Sequence, residues 1–218
     1  CGLLAMSGFR LPERPDEAAD RPAEHRSIAA VLRSHPRFAL TLLGCMFFFL
    51  THTISNTYMN ALVGKAGGTA SAVGTSLAIS AVLELPAMTL VSRLQKCFSP
   101  GFFLRFAAGA EVVKFLIFYL ARSMPLIYLG HCMQFFQFAV YAPATVYYVA
   151  AALPERDQLK GQSLIFVAGS GLGGALGNLL GGRLLDRSGI QAALLLGTVS
   201  AAASLLTFCL STREDSRG

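Results

Sequence analysis

Tryptophan is absent from the 218 residues, and Asp, Glu, Lys and Arg together supply only 14% of them. A soluble domain carries about 25% charged residues. With 54% hydrophobic residues and a mean hydropathy of +0.54, this chain has too few charges to keep its apolar surface in water, which excludes an ordinary soluble enzyme. Cysteine is also scarce. Cys1, Cys45, Cys97, Cys132 and Cys209 are too widely spaced for a CxxC pair or a metal knuckle, and they read as small buried hydrophobes. No HExxH, nucleophile elbow or acidic metal cluster falls within the apolar runs. No catalytic residue, cofactor or metal is therefore expected.

What the chain does have is long apolar runs. A spanning helix needs roughly 20 mostly apolar residues to cross roughly 30 Å of hydrocarbon. Six such stretches occur, at 38–60, 70–92, 102–121, 125–152, 161–182 and 189–210, joined by short polar loops. The fold class expected is all-α, a polytopic bundle of six transmembrane helices over 38–210 in a lipid bilayer. Residues 10–37 mix Arg10, Arg14, Arg21, Arg26, Arg33 and Arg37 with five acidic residues and four prolines, and read as a polar linker with a short surface helix from Ser27 to Leu32. Residues 1–9 are apolar and read as the tail of a preceding helix. A lipoprotein beginning at Cys1 is the alternative. Basic residues concentrate on the cytoplasmic side of membrane proteins. One face collects the linker arginines with Arg93, Lys96, Arg105, Arg156, Lys160, Arg213 and Arg217, against Lys65, Arg122, Arg183 and Arg187 on the other. This asymmetry makes the linker and the 211–218 tail cytoplasmic. Short loops and no targeting segment favour an inner or plasma membrane of bacterial type. The net charge of +6 belongs to these helix flanks, and no aromatic residues interleave with it, so no nucleic-acid partner is expected.

Gly169-Ser-Gly171-Leu-Gly173-Gly174 satisfies GxGxxG, but it lies inside an apolar stretch with no strand ahead of it, which removes the context a dinucleotide site needs. The same region is better described as a ladder, Gly169, Gly173, Gly177 and Gly181, spaced by four. In a membrane helix such a ladder bares the backbone along one face and lets a neighbour pack closely. Asn178 beside it could bond to another helix or line a cavity.

An ionisable side chain at the bilayer centre costs about 2.5–3.5 kcal/mol on insertion scales, so one that persists normally faces protein or a wet cavity. Glu84, Glu111, Lys114 and His131 are such residues. Counting 1.5 Å of rise per residue from the outer ends, Lys114 and His131 lie roughly 9 Å deep, Glu111 and His52 roughly 12–14 Å, and Glu84 roughly 20 Å. His52, Asn56 and Asn60 share one helix face; His131, Gln134 and Gln137 share another, with Tyr141 four residues on. Two readings stay open: Glu111 and Lys114 could form a local ion pair that only neutralises both, or the polar faces could line a pathway for substrate or protons. A carboxyl group taken out of water holds a proton more readily, and histidine titrates near neutrality, so both suit proton coupling. Pro86 and Pro143 each free a backbone carbonyl, and Pro143 is expected to interrupt the fourth span.

These residues resemble the C-terminal six-helix half of a major facilitator superfamily transporter, over about residues 30–210. The likeness rests on the basic linker before Phe38, Ser92-Arg93-Leu94 with Lys96, Leu153-Pro154-Glu155-Arg156, and the run from Gly177 to Asp186. Within that superfamily the chain looks like the lactose permease and phenylpropionate permease-like group, whose acidic, basic and histidine positions Glu84, Lys114 and His131 would fill. The departures are Lys114 where that group has Arg, and Gln134 where its sugar permeases carry a carboxylate. Lysine does not replace the bidentate guanidinium, and glutamine takes up no proton, so coupling would fall to Glu84 or Glu111. The resemblance implies a twelve-helix protein whose N-terminal half lies outside this chain, transporting a small organic solute by proton symport with alternating access. An exporter or uniporter, or a non-transporting membrane receptor or assembly module docking through the glycine groove, are the alternatives.

Overall fold

The computed structural model describes residues 28–212, and every regular element among them is helical. The expected 1–9 helix tail, most of the linker and most of the 211–218 tail lie outside these residues. A short helix α1 (Ile28–Ser34) leads directly into α2 (Pro36–Thr57), with Pro36 in the first helical position, where a missing N–H costs nothing. Val31 of α1 is buried against the bundle. After α3 (Met59–Lys65) come α4 (Ala70–Leu94) and α5 (Pro100–Leu120). The start of α5 is fixed by Pro100 and by Ser99, whose Oγ accepts from the Phe102 N–H at 3.3 Å. Then follow α6 (Met124–Cys132), a 3₁₀ turn (Met133–Phe135), α7 (Phe138–Ala152), α8 (Glu155–Phe166), a π-helical segment (Val167–Gly173), α9 (Gly174–Ser188) and α10 (Ile190–Ser211). Gly189, at φ +77°, makes the sharp link into α10 that a residue with a Cβ would strain.

Five helical runs are long and apolar enough to cross a membrane: Pro36–Thr57, Ala70–Leu94, Met124–Ala152, Glu155–Ser188 and Ile190–Ser211. α5 is 21 residues long but carries Arg105, Glu111 and Lys114. It nevertheless sits well inside the bundle, packed on α10 and α7, with Phe103, Leu104, Phe115 and Phe118 buried. α10 packs along α2, and α2 is covered on another side by the π segment and α9. One apolar core gathers around Phe38, Phe48, Leu104, Tyr148 and Phe208, and a second around Ile54, Leu62, Phe115 and Ile127. α4 stands apart from this order. Of its 25 residues only Ser76, Ala87 and Val91 are buried.

The fourth span corrects one expectation. Its break lies at residues 133–137, where the 3₁₀ turn and Gln137 (φ −98°, ψ −90°) divide α6 from α7, and Pro143 sits inside α7. Pro143 would have bonded to the carbonyl of Ala139, in the first turn of α7, so its missing N–H falls where the helix is only beginning. α4 likewise continues through Pro86.

Candidate functional site

Three helical segments deliver polar side chains to one buried point. Lys114, in the middle of α5, is 1% exposed, and its four-carbon stem carries the ammonium across to the broken fourth span. There Nζ donates to Gln134 Oε1 at 3.1 Å and to Gln137 Oε1 at 3.5 Å. It also donates to Ser55 Oγ of α2, at 3.5 Å. Gln134, inside the 3₁₀ turn, and Gln137, two residues past it, both meet the same ammonium, as their spacing of three places them on one face. Phe118 lies one helical turn on, its ring centroid 5.8 Å from Nζ, and adds a weak cation–π contact.

The network continues to the surface of the chain. Gln137 Nε2 lies 3.5 Å from His52 Nδ1, and Asn56 Nδ2 lies 3.0 Å from His52 Nε2. A neutral imidazole has one N–H, so only one of these amide nitrogens donates to it in any one tautomer. His52 is held flat against Phe138, with ring centroids 4.3 Å apart and an interplanar angle of 10°. Asn56 is exposed, so a continuous polar path joins the buried ammonium to the open face of α2.

Glu111, one turn before Lys114, is fully buried, and neither carboxylate oxygen has a hydrogen-bond partner. No salt bridge from Glu111 to Lys114 forms among the described residues. The local ion pair allowed by the i,i+3 spacing is therefore not made, because Lys114 is engaged by the two glutamines and Ser55. A buried ionised carboxylate with no partner is very costly, so Glu111 is the charge in most need of a proton or of a rearranged neighbour.

The other expected residues are placed differently. His131 is buried beside the network but bonds to Ser80 of α4, with Nδ1 3.1 Å from Oγ, and its Nε2 has no partner. Tyr141 is stacked on Phe48 at 4.0 Å, within the aromatic core, and takes no part in the Lys114 bonds. Glu84 does not join the cluster. It lies on the largely uncovered α4, one turn after Ser80, and makes no hydrogen bond or ion pair among the described residues. Gln137, Ser55 and Ser80 complete the site. Gln137 was visible as the third member of a polar face, whereas nothing in the sequence separates the two serines from the chain's other helical serines.

The glycine ladder faces α2. An added Cβ at Gly173 would strike the Met46 carbonyl oxygen, and one at Gly177 would come within 2.6 Å of the Leu50 carbonyl oxygen. Gly169 lies over the Phe49 ring and Gly181 over Tyr58. Asn178 accepts from Thr57 at 2.9 Å and its backbone carbonyl accepts from the Tyr58 hydroxyl at 2.5 Å, which makes it an interhelical tie to the end of α2.

Comparison with known sequences gives the following. A sequence model described as the MFS_1 like family matches residues 5–196. Maltose permease of Geobacillus stearothermophilus is 26% identical over 211 residues, covering 97% of this chain and 53% of that protein. The uncharacterized transporter YwbF of Bacillus subtilis (strain 168) is 22% identical over 218 residues, covering 100% of this chain and 55% of that protein. The chain thus spans about half the length of the curated relatives it matches. No solved structure matches significantly.

Proposed function

Because the chain belongs to the MFS_1 like family, within the major facilitator superfamily, we propose that it forms one half of a secondary transporter. In this reading α5 is also a span, the third of six, 38–210 is the C-terminal bundle and both ends are cytoplasmic. The other half packs against the uncovered face of α4, where Glu84 waits for a partner. The solute is a small organic molecule. A sugar is the first to test, given that one relative is named a maltose permease.

The observation that carries the reading is the buried pair of Lys114 and Glu111, three residues apart but not bonded to each other. Two arrangements follow from it. With Glu111 protonated, Lys114 rests on Gln134, Gln137 and Ser55. When Glu111 loses its proton, the nearest cation able to neutralise it is Lys114, which must leave the glutamines and so free their amides and His52. A carboxyl whose proton decides where the ammonium sits is a physical link between proton binding and the shape of a polar cavity.

The assembly-module reading loses its docking surface, because the glycine face is already filled by α2 of the same chain. An exporter or uniporter would keep the same bonds without the proton step. Reconstituting the full-length protein in liposomes separates these readings: solute accumulation driven by an inward proton gradient supports symport, and equilibration without accumulation supports a uniporter.

A further inference from the structure

A second concave site lies away from the Lys114 network. Between α4 and α5, roofed by the fourth span at Phe136, runs a groove of about 260 Å³ lined by apolar side chains alone. One wall is a phenylalanine stripe at every fourth residue of α5 and its approach: Phe98 and Phe102 stack with centroids 4.8 Å apart, and Phe102 and Phe106 follow at 6.1 Å. The other wall is Leu90 and Leu94 of α4. The stripe spans about 12 Å at 1.5 Å per residue. These are not core residues, since Leu90, Phe98, Phe102, Phe106 and Phe136 remain between 37% and 45% exposed.

The stretch of chain that forms the two walls carries charge of one sign. Between Leu85 and Ala110 the charged residues are Arg93, Lys96 and Arg105, with no Asp or Glu. Arg105 is partly buried and donates to the Thr212 carbonyl at 3.2 Å. Arg93 and Lys96 are exposed and alternate along the chain with groove residues Leu94 and Phe98. The turn that joins the two walls of this hydrocarbon-lined slot thus carries two exposed cations that stand outside its lining.

We propose that this groove is a specific site for an anionic phospholipid, one acyl chain lying along the Phe98–Phe106 stripe and the phosphate held by Arg93 and Lys96. A zwitterionic lipid would fill the slot equally well but would gain less from the two cations. The inference rests on the reading of α5 as a membrane span and on the other half leaving the Leu90 side of α4 open; the lipid preference can still fail while transport persists, and the reverse.

The absence of tryptophan supplies the test. In the full-length protein, with any tryptophan outside this chain replaced by phenylalanine, Leu90→Trp places a reporter in the groove and Leu206→Trp places one on the exposed face of α10. Quenching by brominated phosphatidylglycerol is compared with quenching by brominated phosphatidylcholine in mixed bilayers. The expected result is a preference for phosphatidylglycerol of about five-fold or more at position 90, near unity at 206, and near unity at 90 once Arg93→Gln and Lys96→Gln are added. Equal preference at both positions would reduce the groove to ordinary lipid contact. No quenching at 90 with normal quenching at 206 would mean that protein covers it. Either result overturns the proposal, and Phe98→Trp repeats the measurement should Leu90→Trp fold poorly.

Discussion

Lys114 holds three acceptors from two other elements, and each bond is charge-assisted, so removing an acceptor is felt more than removing a neutral bond. Gln134→Ala deletes the shortest of the three. The loss of a hydrogen bond to a charged group costs about 1.5–3 kcal/mol, so a fall in transport of about ten-fold or more is expected, measured as initial uptake at matched protein amounts. Ser55→Ala, whose bond is 3.5 Å long, should fall several-fold less in the same assay. Lys114, His52 and Gln134 were legible in the sequence because polar groups are expensive at that depth and therefore conspicuous. Ser55 and Ser80 were not, since a serine in an apolar helix usually satisfies itself on its own backbone, as Ser76 does on Ala72. Glu84 is a different case: its cost marked it in the sequence, but cost alone does not say which neighbour it faces.

Two helical segments among the described residues depart from α geometry. The 3₁₀ turn at Met133–Phe135 holds Gln134, and the π segment at Val167–Gly173 lies along α2, with Gly169 over Phe49 and Gly173 over the Met46 carbonyl. Five of the six expected spans are helices long and apolar enough to cross a membrane, and hydropathy and length made them legible. These irregular turns were not, because a shift of the bonding partner by one residue leaves the hydrophobic pattern intact, and Pro143 pointed to a place where the helix tolerates it. The glycine ladder gives a sharp contrast among substitutions. Gly177→Ala places a methyl 2.6 Å from the Leu50 carbonyl oxygen, a backbone atom that cannot swing aside. Overpacking of this kind costs about 1–3 kcal/mol, so a drop in thermal midpoint and in folded yield is expected. Gly171→Ala, in the same stretch with nothing within 4 Å, should leave both unchanged, as read by thermal-shift measurement in detergent. A destabilised Gly171→Ala beside a normal Gly177→Ala would contradict the packing.

At the scale of the whole molecule, membrane orientation and coupling are the open consequences. Cys97 is exposed in the loop between α4 and α5, next to Lys96, on the face assigned to the cytoplasm, whereas Cys45 is buried. With Cys97 as the sole cysteine, a membrane-impermeant maleimide should label inside-out vesicles and leave right-side-out vesicles unlabelled; the opposite pattern would invert the topology. The family was legible because hydropathy, flanking charge and loop motifs agree in order along the chain. The solute was not, since about half the length of the matched relatives lies outside it. The central claim is that the proton on Glu111 decides where Lys114 sits, and it is tested most directly by Glu111→Gln in the reconstituted full-length protein. The account predicts that accumulation against a gradient is lost while exchange of solute across the membrane at equal pH persists, because the glutamine holds the network permanently in its protonated arrangement. Unchanged proton-driven accumulation would contradict it.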